Sequence, residues 1–181
     1  TYDADVIRIN SQSGKGGIGF LLEQNYGYSL PAKMREDLGY RVKSVSDHGH
    51  KELSVREVCD VFEQTYMNRC TPLSVPEAHF TVRNNVFYAV VTVEMKGNSR
   101  EVTSQGNGRL DAVCNAIHDA TGLEFTLESY SEHSLDEGST SRACSYVGIR
   151  WPDGSMSWGA GTHTDIIMAG TRALVSAVNN H

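Results

Sequence analysis

Residues 106–122 read GNGRLDAVCNAIHDATG, a Gly-x-Gly turn followed by a helical pattern that ends at another glycine. The same order returns 53 residues later in residues 159–180, GAGTHTDIIMAGTRALVSAVNN. Self-similarity at a fixed spacing indicates a repeated structural unit. Because strand-like sequence precedes both turns, we predict two β-β-β-α units, residues 77–122 and 123–181.

The strands of both units are predicted from alternation and turn signals. Residues 79–105 alternate polar and apolar side chains and are interrupted by RNN at 83–85 and KGN at 96–98. Both tripeptides favour tight turns between strands. In the second unit the strand-like segments are 123–133, 141–151 and 155–161, with a PDG turn at 152–154.

The first 70 residues read differently, as a small helical subdomain with an N-terminal strand at 4–10. Helical patterns begin near Gly16, Ser29 and Ser54, and Glu57 follows Ser54 at the spacing of a capping box. Residues 47–51 are expected to end the second helix. The prolines of RCTPLSVPEA, 69–78, suggest a linker. The predicted fold class is α+β, with domains at 1–70 and 77–181.

Composition narrows the function classes. The chain has 181 residues, 39% of them hydrophobic, and a net charge of −6, which disfavours a nucleic-acid partner. Its short apolar runs predict no membrane span, and its polar, acidic start shows no secretory signal, so we expect a cytoplasmic protein. The cysteines form no CxxC pair and are expected to be reduced and buried: Cys59, Cys70, Cys114 and Cys144.

Residues 10–19, NSQSGKGGIG, invite a nucleotide-binding interpretation that the details do not support. A phosphate-binding loop follows G-x-x-x-x-G-K-[ST]. Here Lys15 lies between glycines, and Gly17 and Ile18 follow where a hydroxyl is required. We predict that Ser13–Gly17 is a flexible turn that tolerates anions, and we expect neither a nucleotide nor another cofactor.

The two Gly-x-Gly turns are the stronger candidates for ligand binding. Each is predicted to place backbone N–H groups at a helix N-terminus, where a carboxylate is favoured. Apolar residues adjoin both turns, so a small ligand with one acidic and one apolar end is expected. The alternative is that glycine is needed only for a close strand-to-helix turn.

Residues 130–134, YSEHS, carry the candidate catalytic groups Tyr130, Glu132 and His133. On a strand, Tyr130 and Glu132 share a face and His133 points to the other. Such groups suit acid–base work, although ordinary polar residues at a strand end give the same pattern. The spacing of the histidines and cysteines predicts no metal site.

Four segments resemble the 2-isopropylmalate synthases of leucine biosynthesis. VIRINSQSGKGGIGFLLEQNYGYSLP at 6–31 is similar to the accessory subdomain of that family. GNGRLDAVCNAI at 106–117, YSEHSLDEGSTSRACSYVGI at 130–149 and SWGAGTHTDIIMAGTRALVSAVN at 157–179 resemble its C-terminal regulatory domain. The segments occur in family order and span nearly the whole chain.

The resemblance implies a function and a fold. The complete enzymes of this family condense acetyl-CoA with 2-oxoisovalerate on a metal-dependent TIM barrel that precedes the part matched here. Their regulatory domain is a pair of β-β-β-α units that dimerises and binds leucine at the interface. The barrel needs about 250 residues, so this chain is expected to lack synthase activity of its own. A homodimer through residues 77–181 is expected.

The resemblance also implies site residues. Carried over by motif, they are Gly106, Gly108, Leu110, Ala112, Tyr130, Ala143, Gly161, Thr162 and Ile166. The chain departs from the family at Arg109, where proline is common, and at Gly170, where serine is frequent. Because Arg109 adds a positive charge, it is a further ligand-binding candidate, and an acidic ligand is expected to compete with or replace leucine.

Two functions therefore remain open from the sequence. The first is an amino-acid-sensing, dimer-forming regulatory region, either part of an isopropylmalate synthase or a separate chain acting on a catalytic barrel. The second is a stand-alone relative with its own catalysis on a small carboxylate or carbonyl substrate, using Tyr130, Glu132 and His133.

Overall fold

The structure is a computed structural model that describes residues 8–9, 15–135 and 141–181. The chain divides into two units, Thr1–Thr65 and Tyr66–His181. The domain limits predicted from the sequence, 70 and 77, stay a prediction.

The first unit holds three helices within its described residues. Its elements in chain order are β1 Arg8–Ile9, α1 Lys15–Tyr26, α2 Ala32–Gly49, β2 Leu53–Ser54 and α3 Val55–Tyr66, the last residue of which belongs to the second unit. Strands β1 and β2 pair antiparallel.

The capping box at the start of α3 is confirmed. The Ser54 backbone N–H donates to Glu57 Oε1 at 2.9 Å, and the Glu57 N–H donates to Ser54 Oγ at 3.1 Å. This reciprocal pair satisfies two N–H groups that the first turn leaves unpaired. A hydrogen bond from Lys51 lowers the pKa of Glu57 to about 2.

One local prediction for the first unit is confirmed and one is wrong. Helix α2 ends at Gly49, inside the predicted range 47–51, where His50 adopts a left-handed φ of 52°. Lys15 and Gly17, by contrast, lie in the first turn of α1 and do not form a flexible turn. Ser13 and Gly14, like most of the predicted strand at 4–10, lie outside the described residues.

The second unit confirms the repeated β-β-β-α order. Its first repeat contains β3 Leu73–Arg83, β4 Val86–Met95, β5 Asn98–Gly106 and α4 Arg109–Thr121; its second contains β6 Thr126–Ser134, β7 Ala143–Arg150, β8 Met156–His163 and α5 Ile166–Asn179. The strands form two antiparallel sheets, β3-β4-β5 and β6-β7-β8.

The predicted hairpin turns of the first sheet are also confirmed. Asn84 and Asn85 have φ of 53° and 66°, and Lys96 and Gly97 have φ of 51° and 87°. Two consecutive residues with positive φ make the two-residue turn whose twist matches that of the flanking strands.

The linker predicted over 69–78 is wrong for its second half, because β3 already begins at Leu73. Pro76 lies where the β3–β4 register shifts between Ser74 and Glu77. A proline lacks an N–H for the ladder and is tolerated at such an irregularity. The prolines that suggested a linker therefore lie around the start of a bulged edge strand.

One core joins the two repeats of the second unit. Helix α4 packs on β4 and β5, while α5 packs on β7 and β8 and also contacts β3 and α4. The core includes Val91 and Val93 of the first sheet, Ile117 of α4, Val147 of the second sheet and Leu174 of α5, each at most 2% exposed. The two repeats therefore stabilise each other.

Helix α5 lies unusually close to strand β8. A Cβ atom added at Gly161 would lie under 3.0 Å from the backbones of Ala169 and Ala173, and one at Gly159 would meet Ala173 and Ala177 equally closely. Real Cβ atoms essentially never approach a backbone this closely. The two glycines therefore permit the contact between α5 and β8.

Polar side chains of α5 hold the first residues of the second unit, from Tyr66 to Leu73. The Ser176 hydroxyl donates to the Tyr66 carbonyl at 2.5 Å and accepts from the Arg69 N–H at 3.0 Å. The Asn179 amide bonds both the N–H and the carbonyl of Leu73 at 2.9 Å. The start of β3 is thus fixed by the end of α5.

The cysteine prediction is confirmed for three residues and wrong for one. Cys59, Cys114 and Cys144 are buried and unpaired, whereas Cys70 is exposed. Burial raises the pKa of the Cys114 thiol to about 12. Of the helices in the described ranges, none is long and apolar enough to span a membrane.

Replacing Gly161 with alanine should destabilise the second unit. We expect Gly161→Ala to lower the free energy of unfolding by about 1–3 kcal/mol, because a Cβ there overpacks two backbones. Urea unfolding followed by circular dichroism measures the change.

Gly108→Ser is the matched control for this substitution. A Cβ at Gly108 meets nothing within 4 Å, and its φ of −158° is extended backbone. Serine is also favoured at the N-cap position that Gly108 occupies. An unfolding midpoint for Gly161→Ala equal to that of Gly108→Ser would contradict the packing role.

Candidate functional site

A cavity of about 530 Å³ lies between the starts of α4 and α5 and strand β6. Its lining residues come from three stretches of the second unit: Asn107, Gly108, Arg109, Leu110 and Asp111; Leu127, Tyr130 and Glu132; and Ile166, Ile167, Gly170 and Thr171. Its volume is in the range of small-molecule sites.

The start of α4 presents hydrogen-bond donors to the cavity. Gly108 is the N-cap and makes no side-chain cap hydrogen bond. The first N–H groups of a helix have no partner within the helix, and the helix dipole favours an anion there. Asp111 Oδ2 accepts a hydrogen bond of 2.8 Å from the backbone N–H of Asn107. Asn107 precedes the helix, so this bond does not occupy the N–H groups of the first turn. The first turn of α4 is therefore suited to a carboxylate.

The second Gly-x-Gly sequence does not start a helix, and that prediction is wrong. Gly159 and Gly161 lie inside β8, where they pair with Val147 and Ser145. Helix α5 begins at Ile166, and Asp165 caps it by accepting from the Ile167 N–H at 2.9 Å. These glycines allow α5 to pack closely on β8 and do not form a strand-to-helix turn, so the alternative interpretation is wrong here as well.

Strand β6 brings three side chains to the cavity because its register shifts. Leu127 pairs with Ile149 and Ser129 with Gly148, so Glu128 is an extra residue. In a regular strand Leu127 and Tyr130 point to opposite faces, and one extra residue between them turns them to the same face. The bulge therefore adds an apolar side chain beside Tyr130 and Glu132.

Tyr130 is held by two contacts within the cavity. Its hydroxyl donates to Glu132 Oε2, and its ring lies against Gly170, where an added Cβ would be 3.3 Å from the hydroxyl. Burial and the hydrogen bond to Glu132 raise the pKa of Tyr130 to about 12. The Tyr130 hydroxyl therefore keeps its proton at neutral pH and acts as a donor.

The three candidate acid–base groups do not form one site. His133 Nε2 lies 2.7 Å from the Tyr146 hydroxyl, and the two rings stack at 5.5 Å. Tyr130 and Glu132 line the cavity, whereas His133 does not. The expected division of the strand faces is confirmed, and it separates the histidine from the other two groups.

Arg109 lines the cavity with its side chain placed against an aromatic ring. Its guanidinium carbon lies 5.2 Å from the centroid of the Phe87 ring, within the range of a cation–π contact. Arg109 thus belongs to the end of the cavity where α4 begins, and its guanidinium is held by Phe87 of β4, which does not line the cavity.

The structure brings together half of the residues proposed for ligand binding. Gly108, Arg109, Leu110, Tyr130 and Ile166 line the cavity; Gly106, Ala112, Ala143, Gly161 and Thr162 do not. Thr162 instead bonds the Asn68 side chain through both its N–H and its hydroxyl. Whether a ligand binds these residues stays a prediction.

Sequence reasoning missed several lining residues. Thr171 follows Ile167 by four residues, the spacing that places both on one face of α5, so a helical projection would have paired them. No sequence pattern indicated that Leu127 lines the cavity, because the β6 bulge determines which face of the strand its side chain is on. Among the described residues, no group of three or more His, Cys, Asp or Glu side chains is arranged to hold a metal ion.

Comparison with known proteins gives one consistent result. A family model described as the LeuA allosteric (dimerisation) domain matches residues 52–181. Two similar proteins are named 2-isopropylmalate synthase: one of Desulfitobacterium hafniense, 50% identical over 178 residues, and one of Helicobacter hepaticus, 44% identical over 189 residues. Each alignment covers 98% of this chain, and the chain spans about a third of the length of these relatives. The resemblance inferred from four segments is confirmed.

The Tyr130 phenol should resist ionisation. An unperturbed tyrosine ionises near pH 10, so the Cζ resonance of ¹³C-labelled Tyr130 should still be that of the phenol at about pH 10.5. Tyr130→Phe identifies the resonance by its loss. Glu132→Gln should lower the pKa of Tyr130, because a neutral amide accepts a weaker hydrogen bond than a carboxylate.

Glu128→Gln is the control on the same strand. Glu128 pairs with Arg150 at 2.6 Å and does not line the cavity, so its replacement should leave the Tyr130 titration unchanged. A Tyr130 that ionises near pH 10 in the unmodified chain would contradict the pKa assignment.

Proposed function

Because the chain belongs to the LeuA allosteric (dimerisation) domain family, we propose that it senses leucine or a closely similar amino acid in the cavity between α4, α5 and β6. The bound amino acid favours one arrangement of the regulatory region. This change of arrangement alters the activity of a 2-isopropylmalate synthase-type catalytic region. The size of the effect is set by the coupling free energy between the amino-acid site and the catalytic site.

The start of α4 supports a ligand that carries a carboxylate. The first-turn N–H groups, the helix dipole and the Arg109 guanidinium all favour negative charge at this end of the cavity. The absence of a capping side chain at Gly108 leaves room for a ligand oxygen at the N-cap. This is the single observation on which the proposal depends most.

The apolar residues of the lining support a branched apolar side chain on the ligand. Leu110, Leu127, Ile166 and Ile167 come from three different elements and all line the cavity. Burying a leucine side chain among them contributes about 1.5–3 kcal/mol, roughly ten- to a hundredfold in affinity. An amino acid with a polar side chain gains no such contribution.

The charges in the cavity favour an amino acid over a dicarboxylate. Arg109 alone suggested an acidic ligand, but Asp111 and Glu132 line the same cavity. A second carboxylate on the ligand would meet these like charges. We therefore place leucine-like ligands ahead of dicarboxylates.

A second copy of the chain is the proposed cover of the cavity. Ile166 is 39% exposed and Tyr130 43% exposed, so apolar parts of the walls face solvent in one chain. A dimerisation domain implies self-association, and a partner lying over these walls would exclude water from the ligand. Ligand binding and dimer formation are then coupled.

Titration calorimetry tests the ligand. Leucine should bind the unmodified chain more tightly than malate or aspartate, and Ile166→Ala should weaken leucine binding about tenfold through lost apolar contact. Val90→Ala is the matched control, because Val90 is 36% exposed, lies on β4 and does not line the cavity. Tighter binding of the dicarboxylates than of leucine would contradict the proposed ligand.

Light scattering tests the oligomeric state. The chain should have twice its mass of 19.9 kDa at micromolar concentration. Ile166→Asp should shift the equilibrium toward the monomer, because a carboxylate would be buried at the covered wall. A monomer at all concentrations, with and without leucine, is the result that excludes a second copy as the cover.

A further inference from the structure

We propose that Glu132 recognises the ammonium group of the ligand and that Tyr130 is the positioning residue that holds Glu132 in place. The cavity thereby accepts an α-amino acid and discriminates against the 2-oxo acid or 2-hydroxy acid with the same carbon skeleton. This inference rests on the proposed function. It identifies the ammonium group as the feature that distinguishes the ligand from the corresponding 2-oxo and 2-hydroxy acids.

The first argument is the separation of charges along the cavity. The first-turn N–H groups and the Arg109 cation come from the start of α4, where the Asp111 carboxylate already accepts from the Asn107 N–H, whereas the Glu132 carboxylate comes from β6. An α-amino acid carries one negative and one positive group on neighbouring atoms, and this arrangement meets both. A 2-oxo acid has the carboxylate but lacks the cation, so it leaves Glu132 without a counter-charge.

The second argument is that Glu132 is not neutralised by the cation in the same cavity. The Arg109 guanidinium lies over the Phe87 ring, 5.2 Å from its centroid. Arg109 and Glu132 form no ion pair in the part of the chain that the structure describes. The cavity therefore keeps a cationic and an anionic group apart, which suits a zwitterion.

The third argument is the way Tyr130 fixes the carboxylate. Tyr130 and Glu132 are two residues apart on one strand and so share a face. The hydroxyl donates to Oε2, which leaves Oε1 for a ligand donor. The raised pKa of Tyr130, about 12, keeps this hydroxyl a donor across the neutral range.

Gly170 makes this arrangement possible. The Tyr130 ring lies against Gly170, and a Cβ there would be 3.3 Å from the hydroxyl and 3.4 Å from Cε1. The distance to the hydroxyl is tighter than nine in ten real Cβ contacts, so a larger residue would require the Tyr130 side chain to shift by a few tenths of an ångström. The absence of a side chain at Gly170 therefore allows the Tyr130 ring to sit against α5.

The experiment compares two ligands that differ only at the amino group. Leucine and 4-methyl-2-oxopentanoate are titrated into the unmodified chain, Glu132→Gln, Tyr130→Phe and the control Glu128→Gln. The unmodified chain should bind leucine at least about tenfold more tightly than the oxo acid, as expected for one charge-assisted contact.

Glu132→Gln should weaken leucine binding about tenfold or more and leave oxo-acid binding unchanged or improved. Tyr130→Phe should weaken leucine binding by a smaller factor, again without a loss for the oxo acid. Glu128→Gln, whose carboxylate pairs with Arg150 outside the cavity, should match the unmodified chain for both ligands.

Equal losses for leucine and the oxo acid in Glu132→Gln would mean a merely structural role and would overturn the assignment. Leucine binding that is unaffected by Glu132→Gln would overturn it as well, while leaving the proposed function intact. Failure of the unmodified chain to bind leucine would instead overturn the proposed function, and the assignment with it.

Discussion

The close contact between α5 and β8 is the constraint on which the second unit depends. Two glycines, Gly159 and Gly161, lie two residues apart on one face of the strand, roughly 6.8 Å along it. The helix residues that meet them, Ala169, Ala173 and Ala177, recur every four residues, roughly 6 Å along the axis. The two spacings nearly match, so helix and strand approach closely at both glycines.

That contact positions both ends of α5. At its end, Ser176 and Asn179 reach the segment that leads into β3, and the first sheet is thereby tied to the second. At its start, Ile166 and Ile167 are carried to the cavity beside Tyr130. A change at Gly161 therefore acts on the cavity through packing, although Gly161 does not line it.

The two repeats are alike in order but not at their helix starts. Helix α4 begins immediately after Gly108 and has no capping side chain, whereas Asp165 occupies the cap of α5. An anion is therefore favoured at the first helix start and not at the second. The second repeat contributes apolar side chains and the Tyr130–Glu132 pair instead. The cavity is therefore amphipathic, and its two sides come from different repeats.

The sequence by itself determined the element order, the hairpins and the family. These follow from local rules: alternation predicts strands, Asn-Asn and Lys-Gly permit positive φ, and Ser54 with Glu57 makes a capping box. Three of the proposed ligand residues, Gly108, Arg109 and Leu110, line the cavity because they flank the start of α4, which was predicted correctly.

Only the tertiary structure decided the rest. The Gly-x-Gly pattern reads the same at 106–108 and 159–161, yet the first leads directly into a helix and the second lies within a strand under α5. The bulge at Glu128 turns Leu127 toward the cavity, and Gly170 receives the Tyr130 ring. These features depend on segments that are distant in sequence. Whether a glycine is required, and which way a bulged side chain points, is determined by what packs against the residue and not by its neighbours along the chain.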